Sequence, residues 1–154
     1  MNSKIELGAY FTTILVLAGL LFQEGQKRVD LQSQISIPPQ ELYKKLSNSQ
    51  TKLQIIDIRS DQSSYEDAHV PGAIPLYNCD FLKGNESTTK NIFTFAPTII
   101  VSENGDENVF RDCAKNFTQA RNLAGGMAAW SEEGLPEDSS EYSPPKLSGG
   151  GGCL

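Results

Sequence analysis

The sequence predicts an α/β domain: a three-layer fold with a mainly parallel sheet flanked by helices, preceded by one N-terminal hydrophobic helix. Three observations carry this reading. Thr98-Ile99-Ile100-Val101 is a near-continuous apolar run, as a parallel strand covered on both faces requires. Short apolar runs alternate with helical patterns through the middle of the chain, the pattern of a sheet joined by crossover helices. Ser102-Glu103-Asn104-Gly105-Asp106-Glu107-Asn108 then places a Gly-containing loop between that strand and a helical pattern. A strand delivers such a loop to the carboxyl edge of the sheet, and the helix start supplies N–H groups for an anion.

The elements follow in order. Residues 7–22 form an uncharged apolar run, LGAYFTTILVLAGLLF, with Lys4 and Glu6 before it and Glu24, Lys27 and Arg28 after it. A spanning helix needs about 20 apolar residues and a signal-peptide core about 7–15, so the run lies between the two. A weakly basic start and the lack of an A-x-A-like site favour a retained membrane anchor over a cleaved signal, and that over a buried or interfacial helix. Basic residues on both sides leave its direction open.

Residues 29–36 read as a polar linker. Ile37-Pro38-Pro39 introduces a helix with Leu42, Tyr43 and Leu46 on one face. Residues 53–58 read as a strand, 65–68 as a short helix, 73–76 as a second strand and 83–91 as a surface loop. Residues 107–117 read as a helix with Val109, Phe110, Cys113 and Ala114 on its apolar side. A last strand is expected at 119–123 and a last helix at 127–133, stopped by Gly134 and Pro136. From Glu137 the composition turns to Ser, Pro and Gly and ends in four glycines, Cys153 and Leu154, a pattern expected to be flexible. The expected organisation is an anchor or signal segment at 1–28, a linker at 29–36, the domain at 37–137 and a tail at 138–154.

With 154 residues, 13 Lys and Arg against 19 Asp and Glu, and a net charge of −6, the chain holds one domain and has no basic patch for nucleic acid. Its 3 cysteines, Cys79, Cys113 and Cys153, show no C-x-x-C spacing, and their odd number leaves the redox compartment open. The single His69 excludes any mechanism built on a histidine pair.

Three segments in order carry a family resemblance. The first is Ile56-Asp57-Ile58-Arg59, followed by Tyr65-Glu66-Asp67-Ala68-His69-Val70-Pro71-Gly72-Ala73-Ile74. The last is Leu123-Ala124-Gly125-Gly126-Met127-Ala128-Ala129-Trp130 with Gly134-Leu135-Pro136. Between them lie the strand and loop from Thr98. Together they resemble the rhodanese-like domains over about residues 37–137. The resemblance implies that the loop from Ser102 occupies the active-site position. Read from the residues alone, Gly72, Gly125 and Gly126 need a positive φ or a close backbone approach, and Trp130 and Met127 pack in the core. Asp57 and Arg59 form a structural pair or cap backbone groups. The resemblance gives His69 a scaffold role.

Active members resemble one another in a loop that starts with cysteine, whose thiolate takes the outer sulfur of a donor as a persulfide, often beside an arginine. Aligned on Gly105, that cysteine position is Ser102 and the arginine position is Glu107. A serine holds no sulfur-carrier bond, and no histidine lies in the segment to activate it. Glu103, Asp106 and Glu107 surround a cradle for anions, and one like charge at ~4 Å costs about 4 kcal/mol at an effective dielectric of ~20. Phosphatase relatives, which also need a Cys…Arg loop, are excluded on the same ground. An acidic turn in water is the reading preferred over a Ca²⁺ or Mg²⁺ site, so no metal and no cofactor are expected.

No catalytic residue is therefore assigned, and the site residues are the loop positions Ser102, Glu103, Asn104, Gly105, Asp106 and Glu107. The expected function is a membrane-tethered, catalytically degenerate binding or regulatory module. It would have a protein partner, no nucleic acid, and a place in a bacterial cell envelope, or a secreted or periplasmic one after signal cleavage. The alternative is sulfur or thiol transfer by another cysteine. Cys113 is expected to be a buried structural thiol and Cys79 to lie near the surface. Cys153, on a four-glycine arm, is the thiol free to reach the pocket or a partner; it is next to last and so is no prenylation box.

Overall fold

The computed structural model describes residues 13–20, 35–48, 52–82 and 86–144. The chain divides into two compact units, Met1–Ile35 and Ser36–Leu154. In the first, residues 13–20 are helical (α1); the rest of the apolar run at 7–22 lies outside the described residues. Among the described residues no helix is long and apolar enough to cross a membrane.

The second unit contains β1 (Ser36–Ile37), α2 (Pro39–Leu46), β2 (Gln54–Asp57), α3 (Gln62–Asp67), β3 (Ala73–Pro75), α4 (Glu86–Thr89), β4 (Thr98–Val101), α5 (Glu107–Ala114), β5 (Ala120–Leu123) and α6 (Gly126–Glu132). Its five strands lie in the order β1-β5-β4-β2-β3, and every pairing is parallel. The central strand β4 is buried along its whole length, as its apolar run requires. It pairs Gln54 with Thr98 on one side and Thr98 with Ala120 on the other, so β2, β4 and β5 start level with one another.

Alternation along the strands sorts the core into two faces. Ile55, Ala73, Ile99, Val101 and Leu123 pack with Leu42, Tyr65, Met127 and Trp130 in one buried cluster. Ile56 and Ile100, one residue out of phase, are also buried but outside it, as are Phe110 and Cys113 of α5, which contacts β4 and β5. Trp130 is fully buried, and its indole N–H is kept satisfied by the Pro136 carbonyl at 2.9 Å.

Among the described residues, the secondary structure and packing depart from the sequence reading in five places. Ser36–Ile37 is an edge strand beside β5 rather than linker, tied by the Arg121 guanidinium to the Ser36 carbonyl as well as by its ladder. A two-residue strand has no period of its own to read. Helix α3 begins at Gln62 because Asp61 caps it, accepting from the Ser64 amide at 2.9 Å. The expected loop at 83–91 contains the single turn α4, with Thr88 buried. Helix α5 stops at Ala114, and its Val109 is 48% exposed, because it faces an open cavity rather than the core. Packing also continues past Glu137: His69 and Asp138 exchange both backbone hydrogen bonds (2.8 and 2.9 Å), and Tyr142 lies against the core cluster.

Candidate functional site

The loop from Ser102 leaves β4 at the carboxyl edge, in the middle of the sheet, where the spacing places it. Its conformation depends on two glycines. Gly105 has φ +73°, and a Cβ there would meet the Gly125 nitrogen at 2.6 Å. Gly126 has φ +61°, and a Cβ there would lie 2.3 Å from the Ser102 carbonyl oxygen and 2.5 Å from the Gly105 nitrogen. The loop is therefore seated directly on the first turn of α6, so closely that only glycine fits on either side. The Met127 and Ala128 amides at the head of α6 donate to the Ser102 and Glu103 carbonyls, both at 2.9 Å. The expected positive φ at Gly72 and Gly125 is also present, at 76° and 70°.

Within the loop, the polar groups are bonded to one another. Ser102 is only 5% exposed, and its hydroxyl accepts from the Gly105 amide at 3.1 Å. Asn104 Oδ1 accepts from the Asp106 amide at 3.2 Å. Asp106 is the N-cap of α5, its Oδ1 accepting from the Asn108 and Val109 amides at 2.9 and 3.0 Å. Four amides at the head of α5, which an anion could have used, thus bond to side chains of the loop itself. Asn122, buried on β5, fixes the turn from below by donating to the Gly105 carbonyl at 2.8 Å.

The three carboxylates are less uniform than their spacing suggests. Asp106 is occupied in capping. Glu107 pairs with Arg111 one turn along α5, at 2.6 Å, with both side chains largely in water. Glu103 is 70% exposed and its Oε2 lies 4.0 Å from Arg59 Nη1. Exposure and pairing reduce their repulsion of an anion well below the 4 kcal/mol scale of an unscreened neighbour.

Arg59 is the cation that sequence spacing did not bring to the loop. It is buried, and Asp57 holds it from Nε at 3.1 Å and from Nη2 at 2.8 Å. Nη2 also donates to the Ala68 carbonyl at 2.6 Å. The Asp-x-Arg motif signalled the pair, but not that Nη1 would be directed at Glu103. His69 stays in the scaffold: its ring stacks on Tyr65 at 3.9 Å, and Nδ1 donates to the Tyr65 carbonyl at 2.7 Å. Burial, with the charge of Asp57, pushes the Tyr65 phenol well above its ordinary pKa, and its hydroxyl donates to the Ala73 carbonyl.

The cysteines differ most from expectation. Cys113 is buried, but it is not a thiol: it forms a disulfide with Cys79, with the Cα atoms 5.5 Å apart. The pair lines a cavity of about 280 Å³ with Ile58, Asn78, Val109 and Asp112. Asn78 and Cys79 both adopt positive φ (53° and 56°), which turns Cys79 towards α5. Cys153 lies outside the described residues.

Comparison with known proteins gives a consistent picture. The rhodanese-like domain family matches residues 38–133. No curated protein sequence matches the chain. Among solved structures, the BH2092 protein from Bacillus halodurans is 20% identical, with a TM-score of 0.61 over 77% of this chain and 86% of its own. A thiosulfate sulfurtransferase from Pseudomonas aeruginosa is 20% identical, with a TM-score of 0.55 over 69% of this chain and 19% of its own. SseA from Escherichia coli, a 3-mercaptopyruvate sulfotransferase, is 16% identical, with a TM-score of 0.56 over 73% of this chain and 53% of its own. With its parallel sheet, its glycine-seated loop and a family match over most of its length, this chain belongs to the rhodanese-like domain family, which includes sulfurtransferases.

Proposed function

We propose that this chain is a membrane-tethered rhodanese-like module that does not transfer sulfur through its loop and instead binds a protein partner at the carboxyl edge of its sheet. The observation that carries the reading is the state of Ser102: a buried hydroxyl at the sulfur-carrier position, bonded to the loop amide that would help hold a bound anion. Serine cannot carry a persulfide, and no histidine lies in the loop segment to make this hydroxyl a nucleophile. The exposed Glu103, Asn104 and Glu107 leave a rigidly held acidic surface suited to a basic partner segment.

The tether is supported by the uncharged run at 7–22. The disulfide supports an oxidising location for the domain, outside the cytoplasm, because cytosolic thiols are kept reduced. Full-length chain is assayed for thiosulfate:cyanide sulfur transfer beside the Ser102→Cys/Glu107→Arg variant. The expected result is no turnover by the wild type and persulfide formation by the variant; wild-type turnover would end the proposal. The same two proteins used as bait should differ in partner capture, with the wild type retaining more.

A second reading is favoured by one observation. The disulfide takes up Cys79 and Cys113, leaving Cys153 as the cysteine outside it. Its thiolate could attack the outer sulfur of thiosulfate, forming a persulfide and releasing sulfite. Mass spectrometry of the tail peptide after thiosulfate treatment decides the matter: a persulfide supports it and an unmodified thiol removes it.

A further inference from the structure

The opposite edge of the sheet has a feature that neither the family nor the loop accounts for. Phe93 and Phe95, in the turn before β4, are 52% and 71% exposed, with their rings in contact at 6.0 Å. Their exposure is not the result of a loose loop. The Gln54 side chain holds the Phe93 backbone at both ends, its Nε2 donating to the carbonyl and its Oε1 accepting from the amide at 3.0 Å. The Gln54 amide donates to the Pro97 carbonyl at 2.9 Å, and the Thr118 amide to the Thr94 carbonyl at 2.9 Å. Two large apolar rings are thus held out into water by a backbone fixed on three sides, an arrangement that costs solvation unless something covers them.

The polarity of the sheet indicates what covers them. All five strands run the same way, so β1 starts on the amino side, the side that carries the Phe93 turn. Residues 23–35 separate β1 from the apolar run and span at most ~45 Å even when fully extended. Lys52 and Lys90 are exposed on the segments leading into this edge, while Lys115 at the end of α5 pairs with Asp112 at 2.7 Å. The exposed acids of the loop, Glu103, Asp106 and Glu107, lie at the other edge.

We propose that Phe93 and Phe95 are a membrane-contact pair that seats the amino edge of the domain on an anionic bilayer surface, with the carboxyl-edge loop facing away from it. The inference rests on the membrane-tether reading. The rings enter the headgroup boundary as interfacial aromatics do, the lysines meet the lipid phosphates, and the acidic edge is repelled.

Phe95→Trp tests it in the full-length chain, because the native Trp130 is fully buried and gives a constant background. The protein is reconstituted in phosphatidylcholine/phosphatidylglycerol vesicles, with and without brominated acyl chains, and recovered by flotation. The expected result is flotation, with the added emission losing more than half its intensity to the brominated lipid, and less in phosphatidylcholine alone. Flotation without quenching overturns the contact and leaves the tether standing; failure to float overturns the tether and the contact with it. A blue shift that grows with protein concentration in the absence of lipid would put a second copy of the chain on the pair and also overturn the proposal.

Discussion

The two edges of one sheet are built on opposite principles. At the carboxyl edge the loop from Ser102 to Asp106 satisfies its own polar groups, closes onto α6 through two glycines and encloses its serine. At the amino edge an equally well-fixed turn holds two phenylalanines out into water. One edge is a glycine-seated loop whose amides bond to its own side chains; the other is a fixed turn with an unmet apolar surface. Under the proposed reading the first edge is a contact surface, and the apolar turn is where a second contact would form.

Four variants sharpen the contrast. The largest effect is expected at Gly126→Ala, where the new Cβ meets three backbone atoms of the loop within 2.7 Å at a positive φ. None of them can yield as a side chain would, so thermal unfolding should show a loss of more than ~4 kcal/mol. Asp57→Asn comes next. It leaves the buried Arg59 without its carboxylate and should cost about 3–5 kcal/mol in a urea titration. It should also loosen Glu103, which proteolysis of the loop would report.

Ser102→Ala separates a structural hydroxyl from a catalytic one. Loss of the acceptor for Gly105 should lower stability by about 1 kcal/mol and leave sulfur transfer at its baseline. A serine outside the loop's bonding would show no such loss. The smallest change is expected for Phe93→Ser/Phe95→Ser, within about 0.5 kcal/mol of wild type in the same titration, because exposed side chains contribute little to folding. A large loss there would place the pair in the fold rather than at a contact.

Much of the fold was legible along the chain because its signals are local. The apolar run at Thr98–Val101 became β4 with the expected bounds, and the strands at Gln54–Asp57 and Ala73–Pro75 fell close to where their patterns lie. The loop's place was legible too, since it directly follows the apolar run that became β4. Val109 misled, because helical spacing states which side of α5 it occupies but not that this side opens onto a cavity. The two-residue β1 and single-turn α4 were too short to show a period.

What the sequence determined by itself was therefore the family, the alternation of strands and helices, and the residue types of the loop after β4. These depend on residue identity and on neighbours a few positions apart. The tertiary structure alone decided the partners: Cys79 with Cys113 across 34 residues, Gln54 with Phe93, Arg59 with Glu103 and the Ser102 carbonyl with the Met127 amide. Such pairings depend on which segments the parallel sheet brings side by side, and no periodicity along the chain encodes that.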